Sequence, residues 1–503
     1  MTKSGIDRTQ YIRDVIAAHC LNGDAFVSPD KLFDLCREEN NLLNYNTFLA
    51  DLRYTIRKGY LYRQGNRIYD ARIYQYEESA AYALSNIIAD NHLNFKSTTI
   101  NIAAGDVQLC PEQVAAVNMV LSHRFSMVLG SAGSGKTTII RAIIESVGTN
   151  YLETVVCAPT GKAARNLESR IQYESRTIHS ALGLRPNDDF LSPVKWRCIK
   201  LVIVDECGMM SLEMLAGILS RMHEDCRLVL LGDPRQLQAV GVGNIIADLK
   251  KIGIPYLQLT ENHRLDKGAE ALVHNVVHFD DLHCCADLEL DDSFCMNKLK
   301  NPELTERLVH DAAAMYLRGD SVQVLSPYRG EVQKLNERIH RFVNPPRRNQ
   351  LYVIDRNGNK YQNGDRVIIT QNDRDHRCSN GDVGILRLYY HQEHMMTMSV
   401  ELPDGRTPTW YGKEIYVAVN HIALAYAITV HKSQGSEYDT ILFPASMSAP
   451  SMLNRNLFYT AISRAKERVL LYGDEMAIDL ALHTVLDERK SMLVAKTHML
   501  NPA

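Results

Sequence analysis

The sequence predicts an α/β protein with two parallel-sheet cores, a small helical module ahead of them and a β-rich insertion in the second core. Two series of short apolar runs and one late stretch of strict alternation carry this expectation. The first series is Ser126–Leu129, Val155–Ala158, Leu201–Val204 and Leu228–Leu231, each ending in a polar loop. Buried strands alternating with helices build a parallel sheet, whose ligand sites lie beyond the carboxyl ends of the strands. The second series is Val322–Leu325, Arg366–Thr370, Ile441–Phe443 and Val469–Tyr472. Between Gly381 and Val419, short alternating segments (Val383–Leu388, Ile415–Val419) flank a turn at Pro403-Asp404-Gly405, as in a small all-β insertion.

The first hundred residues read differently. Ser28-Pro29-Asp30 starts a helix with a capping hydroxyl and a first-turn proline. Phe48, Leu49, Leu52 and Ile56 then share a helical face, and Tyr60 to Asp70 alternates about Gln64-Gly65-Asn66 as a hairpin does. Helices followed by a hairpin predict a winged-helix-like module, fit for duplex DNA, for a partner, or for packing alone. The expected divisions are 1–105 for this module, 106–265 for the first core, 266–380 with 420–503 for the second, and 381–419 for the insertion.

Composition narrows the function classes. A chain of 503 residues, 45% hydrophobic and 23% charged, belongs to soluble globular proteins of more than one core. No apolar run is long enough to span a membrane. Met1 to Cys20 carries Asp7 and Asp14 and lacks the apolar stretch of a secretion signal, so the expectation is cytosolic. Eleven scattered cysteines, an odd number without a C-x-x-C pair, argue against a disulfide framework. His274, His278, His283, Cys284, Cys285 and Cys295 cluster without the regular spacing of a zinc site, which favours structural roles. With a net charge of −3, any nucleic-acid site must be a local groove. The basic stretch Arg329 to Arg348 is one such concentration; a solvated helix face with a Pro345-Pro346 loop explains it equally well.

Gly130-Ser131-Ala132-Gly133-Ser134-Gly135-Lys136-Thr137 fills the pattern G-x-x-x-x-G-K-[ST] between a strand and a helix-forming run, and with Thr138 it is expected to bind the nucleotide. Its glycines let backbone N–H groups converge on phosphate oxygens at a helix amino terminus. Lys136 is expected to reach the β and γ phosphates of ATP, and Thr137 to ligate Mg²⁺. The strand Leu201–Val204 delivers Asp205 to the magnesium shell and Glu206 to the attacking water; an acidic pair capping a helix is the alternative. Together these residues define a nucleoside triphosphatase without saying which kind.

Further motifs carry a resemblance. Gly232-Asp233-Pro234-Arg235-Gln236-Leu237 resembles motif III of the superfamily 1 helicases. Val430-His431-Lys432-Ser433-Gln434-Gly435-Ser436-Glu437 is similar to motif V, and Tyr459-Thr460-Ala461-Ile462-Ser463-Arg464-Ala465 to motif VI, of the RecD-like and Dda-like branch, superfamily 1B. The ordered motifs cover residues 106 to 475. The resemblance implies two RecA-like cores, an SH3-like insertion and a 5′-to-3′ DNA helicase driven by ATP and Mg²⁺. It implies that Gln113 reads adenine, that Gln236 senses the γ-phosphate, that Gly435 and Glu437 border the nucleotide, and that Arg464 is the arginine finger. Arg264, in Thr260-Glu261-Asn262-His263-Arg264, is a second finger candidate from motif IV. Leu265 stands where the family has glutamine, so a surface salt bridge remains an alternative for Arg264. Ala132 replaces the family's proline at a position that supplies backbone only.

Single strands are held by phosphate contacts and by stacking of bases. Pro159, Thr160 and Lys162 resemble motif Ia, and Thr177 and His179 motif Ib. Pro327, Tyr328 and Arg329, the stretch from Gly364 to Asn372, and His431, Lys432 and Ser433 resemble the matching segments of the second core. Each has a plainer reading: Thr160 as a helix cap, Tyr328 as core, His179 as a structural histidine. Leu184 to Trp196, with Phe190, falls where the family carries its strand-separating pin; a plain surface loop is the alternative. The partners expected are single-stranded DNA and single-strand/duplex junctions, with replication or recombination proteins, for a monomer in a bacterial or phage-infected cell. An ATP-gated scaffold with degraded catalysis and an RNA helicase are the rival readings.

Overall fold

The computed structural model describes residues 9–91, 103–104, 107–148, 151–185, 188–262, 268–300, 302–373, 375–390 and 396–501. The amino-terminal helices begin where capping chemistry starts them. Ser28 Oγ accepts from Lys31 N at 3.3 Å ahead of Pro29–Glu39, and Asn44 accepts from Thr47 N at 2.8 Å ahead of Tyr45–Arg57. The expected hairpin pairs Leu61–Gln64 with Arg67–Asp70, and Phe26–Val27 adds a third antiparallel strand beyond Arg67–Asp70. Ile12, Leu32, Phe48, Leu52 and Ile68 close a small core of their own.

Helix Ala71–Ala89 departs from the expected division at residue 105. It lies along helix Leu212–Arg221, and its Tyr76, Ala80 and Leu84 are buried in one cluster with Phe125, Val204 and Leu228. By packing, the small module ends near Asp70. An amphipathic helix on a linker and one on a neighbouring core have the same period, so sequence alone does not separate them.

The first core is a six-stranded parallel sheet in the order Tyr256–Leu259, Phe125–Gly130, Arg227–Gly232, Leu201–Val204, Thr154–Ala158 and Arg176–Thr177. The four expected runs form its centre, where both faces are covered. The two outermost strands are short and partly exposed, and lack that continuous apolar signature.

The second parallel sheet runs Phe294–Lys298, Ala465–Gly473, Tyr438–Ala445, Val322–Ser326 and Ala427–Thr429. Arg366–Ile369 does not join it, contrary to expectation. That strand pairs antiparallel with Val383–Tyr390 and Ile422–Leu424, in a five-stranded antiparallel sheet completed by Met396–Glu401 and Thr409–Tyr411. The reason is visible in its burial. Val367 and Ile369 face the core of the β-rich unit while Ile368 packs into the second parallel core, so both faces are covered and the run reads as a parallel strand. The β-rich unit also draws in the hairpin Tyr352–Ile354/Lys360–Gln362, and so begins before Gly381. Ile415–Ala418, expected to be extended, is helical; Ile415, Ala418 and Val419 are its buried positions, a helical spacing.

Past helix Glu475–His483 the chain returns to the first core. Arg489 donates to the carbonyls of Ala239, Gly241 and Gly243, and helix Leu493–Leu500 lies against helices Ala71–Ala89 and Ile245–Ile252. There Lys496 Nζ sits 2.9 Å from the fully buried Glu77 and 2.7 Å from Glu78, above the Tyr74 ring. Among the described residues, no helix is long and apolar enough to cross a membrane.

Candidate nucleotide cleft and nucleic-acid grooves

Strand Phe125–Gly130 leads into the phosphate loop, and the loop into helix Lys136–Val147. Gly133 and Gly135 sit at φ 89° and 80°, where a side chain is strained. A Cβ on Gly130 would lie 2.4 Å from Ser134 Oγ, which itself donates to Ser131 O. Lys136 Nζ donates to the carbonyls of Gly130 and Ser131 at 2.7 and 2.8 Å, folded across the mouth of the loop. Ala132 offers backbone, as its position required: its carbonyl accepts from Asn262 Nδ2 at 2.9 Å. Asn262, whose role the sequence did not suggest, thereby joins the far edge of the first sheet to the loop.

Asp205 and Glu206 follow strand Leu201–Val204. Glu206 has φ 53°, a left-handed conformation that costs a non-glycine residue about 1 kcal/mol or more. This turn brings both carboxylates toward the second core. One narrow cleft is lined by Thr137, Asp205 and Glu206 from the first core and by Gly435, Glu437 and Arg464 from the second. Burial, followed by the Glu206 charge, raises Asp205 to about 6, with Lys136 opposing. Arg464 is 4% exposed, its Nε donating to Thr460 O.

Contacts from helix Gly161–Ile171 close this cleft. Arg170 pairs with Glu437 at 2.5 Å, and Asn166 donates to Gly435 O. At φ 71°, Gly435 comes so close that a Cβ would meet Ala163 N at 3.2 Å. Arg170, Asn166 and Ala163 were not singled out by sequence; an i, i+3, i+4, i+7 line along motif Ia was the available signal.

Gln236 lies in a buried loop clamped from the second core. Asn456 donates to its carbonyl, Thr460 accepts from Leu237 N, and Tyr459 OH donates to Asp233 at 2.5 Å under the Arg235 guanidinium. The Tyr459 hydroxyl is held well above its ordinary pKa by burial first and the Asp233 charge second. Tyr459→Phe leaves a buried carboxylate short of a donor, and a stability loss of about 1–3 kcal/mol is expected in urea unfolding; an unchanged midpoint contradicts the clamp.

Gln113 is buried and caps its own helix, its side-chain oxygen accepting from Cys110 N at 3.1 Å. Arg264 lies outside the described residues. Thr138 is partly buried one position beyond Thr137 in the helix. Among the described residues no group of three or more His, Cys, Asp or Glu is placed to hold a metal ion; His274 and His278 pair with Glu289 and Asp281.

Seven of the expected nucleic-acid residues line two grooves. Pro159, Thr160, Thr177, His179 and Asn372 line a cavity of about 770 Å³ walled also by Arg72 and Tyr76 of helix Ala71–Ala89. Thr160 and Thr177 both cap helices, so their hydroxyls already accept from Ala163 N and Ser180 N. Burial lowers the His179 pKa, and its ring meets Phe190 edge-on at 5.1 Å. Lys162 reaches Gly381 O, while Arg165 pairs with Asp382, joining motif Ia to the β-rich unit. Arg329 and Lys432 line a second cavity of about 760 Å³. Burial lowers the pKa of His431 and of Lys432, and the Arg329 charge adds to it in both. Tyr328 is 43% exposed beside Pro327, not core. Ser433 is fully buried and donates to Val430 O, so its hydroxyl faces neither groove.

The pin-like segment forms no paired strands among its described residues, which exclude Pro186 and Asn187. Phe190, Leu191 and Trp196 pack down on the first core, and Arg221 donates to Phe190 O at 2.5 Å.

Two parallel sheets, a phosphate loop and a cleft completed by an arginine from the opposite core define a P-loop nucleoside triphosphatase of the two-core kind. Family models agree: residues 108–283 match an AAA domain and residues 424–472 a UvrD-like helicase C-terminal domain. The chain is 28% identical over 394 residues to the ATP-dependent RecD2 DNA helicase of Deinococcus radiodurans, covering 77% of this chain and 52% of the relative. It is 29% identical over 420 residues to the RecBCD enzyme subunit RecD of Mycolicibacterium smegmatis, covering 74% and 72%. The chain thus spans about half the length of the Deinococcus relative. A crystal structure of Pif1 helicase from Bacteroides with ADP-AlF3 and ssDNA is similar at 20% identity and TM-score 0.48, over 74% of this chain and 95% of that one. The chain is similar to the RecD-like helicases along about three quarters of its length.

Proposed function

We propose that this chain is an ATP-dependent DNA helicase that moves 5′ to 3′ along single-stranded DNA and separates strands at junctions. The cleft shared by Thr137, Asp205, Glu206 and Arg464 carries the reading. Its two RecA-like cores are the units built on the six-stranded sheet that holds Phe125–Gly130 and on the five-stranded parallel sheet that holds Val322–Ser326. We read the amino-terminal module as winged-helix-like and the β-rich unit as SH3-like.

In this reading the backbone of Gly130 to Gly135 cradles the phosphates of ATP, and Lys136 leaves its two carbonyls for the β and γ oxygens. Gly435 and Glu437 border the nucleotide from the second core. Thr137 and Asp205 supply hard oxygen donors on one wall, a set that suits Mg²⁺, which neutralises phosphate charge when bound. Glu206 orients the attacking water and accepts its proton, while Arg464 stabilises charge on the transferring phosphoryl group. Gln236 senses the γ-phosphate, and Arg264 is a second candidate for the same charge. Because Asp233, Tyr459 and Thr460 bind the Gln236 loop to motif VI, closure over ATP moves both cores together. Pro159, Thr160, Lys162, Thr177, His179 and Asn372 grip the strand in one groove. Pro327, Tyr328, Arg329, His431 and Lys432 grip it in the other, so each closure shifts grip along it. Replication or recombination proteins are the partners this reading supplies, in the cytoplasm of a bacterial or phage-infected cell.

Unwinding measured on 5′-tailed, 3′-tailed and blunt duplexes tests the reading: ATP-dependent separation is expected with the 5′ tail, and activity confined to 3′ tails overturns the direction. A pH dependence follows from Asp205. The folded protein holds this proton more tightly than the unfolded chain, so acid does not weaken the fold through Asp205; it removes a metal ligand. Below about pH 6, affinity for magnesium–nucleotide is expected to fall by up to tenfold per pH unit. Titration of a fluorescent nucleotide between pH 5 and 8 checks this, and a flat profile contradicts it.

A further inference from the structure

We infer that helix Tyr45–Arg57 and the hairpin Leu61–Asp70 form a second nucleic-acid site, one that takes double-stranded DNA and does not require ATP. Between Tyr45 and Arg67 five cations (Arg53, Arg57, Lys58, Arg63 and Arg67) stand against one carboxylate, Asp51, in a chain of net charge −3. Asp51 is turned aside and accepts from Tyr11 OH at 3.2 Å. Phe48, Leu52 and Thr55 bury one face of the helix, which leaves Arg53, Tyr54, Arg57 and Lys58 on the other, three and four residues apart. Among the described residues none of the five cations has an ion-pair partner. A solvated cationic face in an acidic chain is electrostatically fitted to phosphate, and each contact releases a counterion.

Duplex is favoured over single strand by the state of the aromatic rings. A single strand needs open ring faces for its bases. Here Tyr62 is stacked on Tyr74 at 3.8 Å, Arg13 covers Tyr60 at 4.1 Å, and Lys58 lies over Tyr54 at 5.5 Å. What remains outward is a helical ridge about 20 Å long, a shape that a major groove admits, beside a hairpin carrying Arg63. The strand Arg67–Asp70 runs directly into helix Ala71–Ala89, whose Arg72 and Tyr76 wall the first groove. Duplex bound by the module therefore lies next to the groove that contains motifs Ia and Ib.

The test uses the full chain without ATP and a labelled blunt DNA duplex of roughly 20 bp, followed by anisotropy over a salt series. The triple variant Arg53→Ala/Arg57→Ala/Lys58→Ala is expected to lose duplex affinity by about tenfold or more. Its slope of log affinity against log salt should fall by about 2.7, at 0.9 per phosphate contact. Arg63→Ala, on a different element, should lower the slope by about 0.9 and guards against misfolding of the triple variant. Oligo(dT) binding and oligo(dT)-stimulated ATP hydrolysis should persist in both. Unchanged duplex affinity and slope in the triple variant and in Arg63→Ala overturns the site; so does an equal loss of oligo(dT) binding, or tighter binding of duplex RNA. Failure of the motor reading shows separately, as absent ATP turnover with duplex binding intact.

Discussion

Arg464→Ala is expected to lower the DNA-stimulated rate of ATP hydrolysis by about 10³-fold or more, the size of effect arginine fingers have in P-loop enzymes. Arg464 is nearly buried at the far wall of the cleft from Thr137 and Asp205, so its charge would meet a bound nucleotide only across that cleft. Nucleotide affinity should move far less than kcat, because the charge it stabilises develops in the transition state. Arg464→Lys should rescue little, since a point ammonium on a shorter reach does not reproduce the planar guanidinium. Steady-state hydrolysis at saturating oligo(dT), with nucleotide binding measured separately, distinguishes these results. A variant within tenfold of the parent removes Arg464 from the chemistry.

Lys136→Ala should go further and abolish both hydrolysis and strand separation. Its ammonium is the cation at the loop mouth, held 2.7 and 2.8 Å from two carbonyls that a phosphate oxygen can replace as partners. Its removal takes away the positive charge at the loop mouth, where the β and γ phosphates of ATP would converge in the proposed reading, while the glycine-built backbone of the loop remains. Undiminished unwinding by clean Lys136→Ala protein refutes the motor assignment outright. Far-UV circular dichroism serves as the folding control, because Lys136 opens a helix whose caps and buried face it does not supply.

The parts of the fold legible in sequence were those where one local signal has one meaning. The strands Ser126–Leu129 and Leu201–Val204 are buried on both faces, and the phosphate loop has a fixed spacing, so both could be read directly. Arg366–Ile369 was misplaced because burial on two faces by two different units imitates a strand of a parallel sheet. Thr160 caps a helix, its plainer reading, and it also lines the first groove; Thr177 does both as well. Ser433 is turned into its own buried turn. The clamp of Tyr459 on Asp233 and the pair Arg170–Glu437 join residues more than two hundred positions apart. No periodicity or motif encodes such a pairing; it exists only once the cores meet.

The returning carboxyl-terminal segment bears on how the two lobes can move. The polypeptide leaves the first lobe after Leu259 and re-enters it by Leu493, having built the second lobe in between. Two covalent crossings forbid free separation of the lobes. The returning one is pinned by Arg489 on three carbonyls and by Lys496 on Glu77, so the far end of the second lobe is anchored to the first.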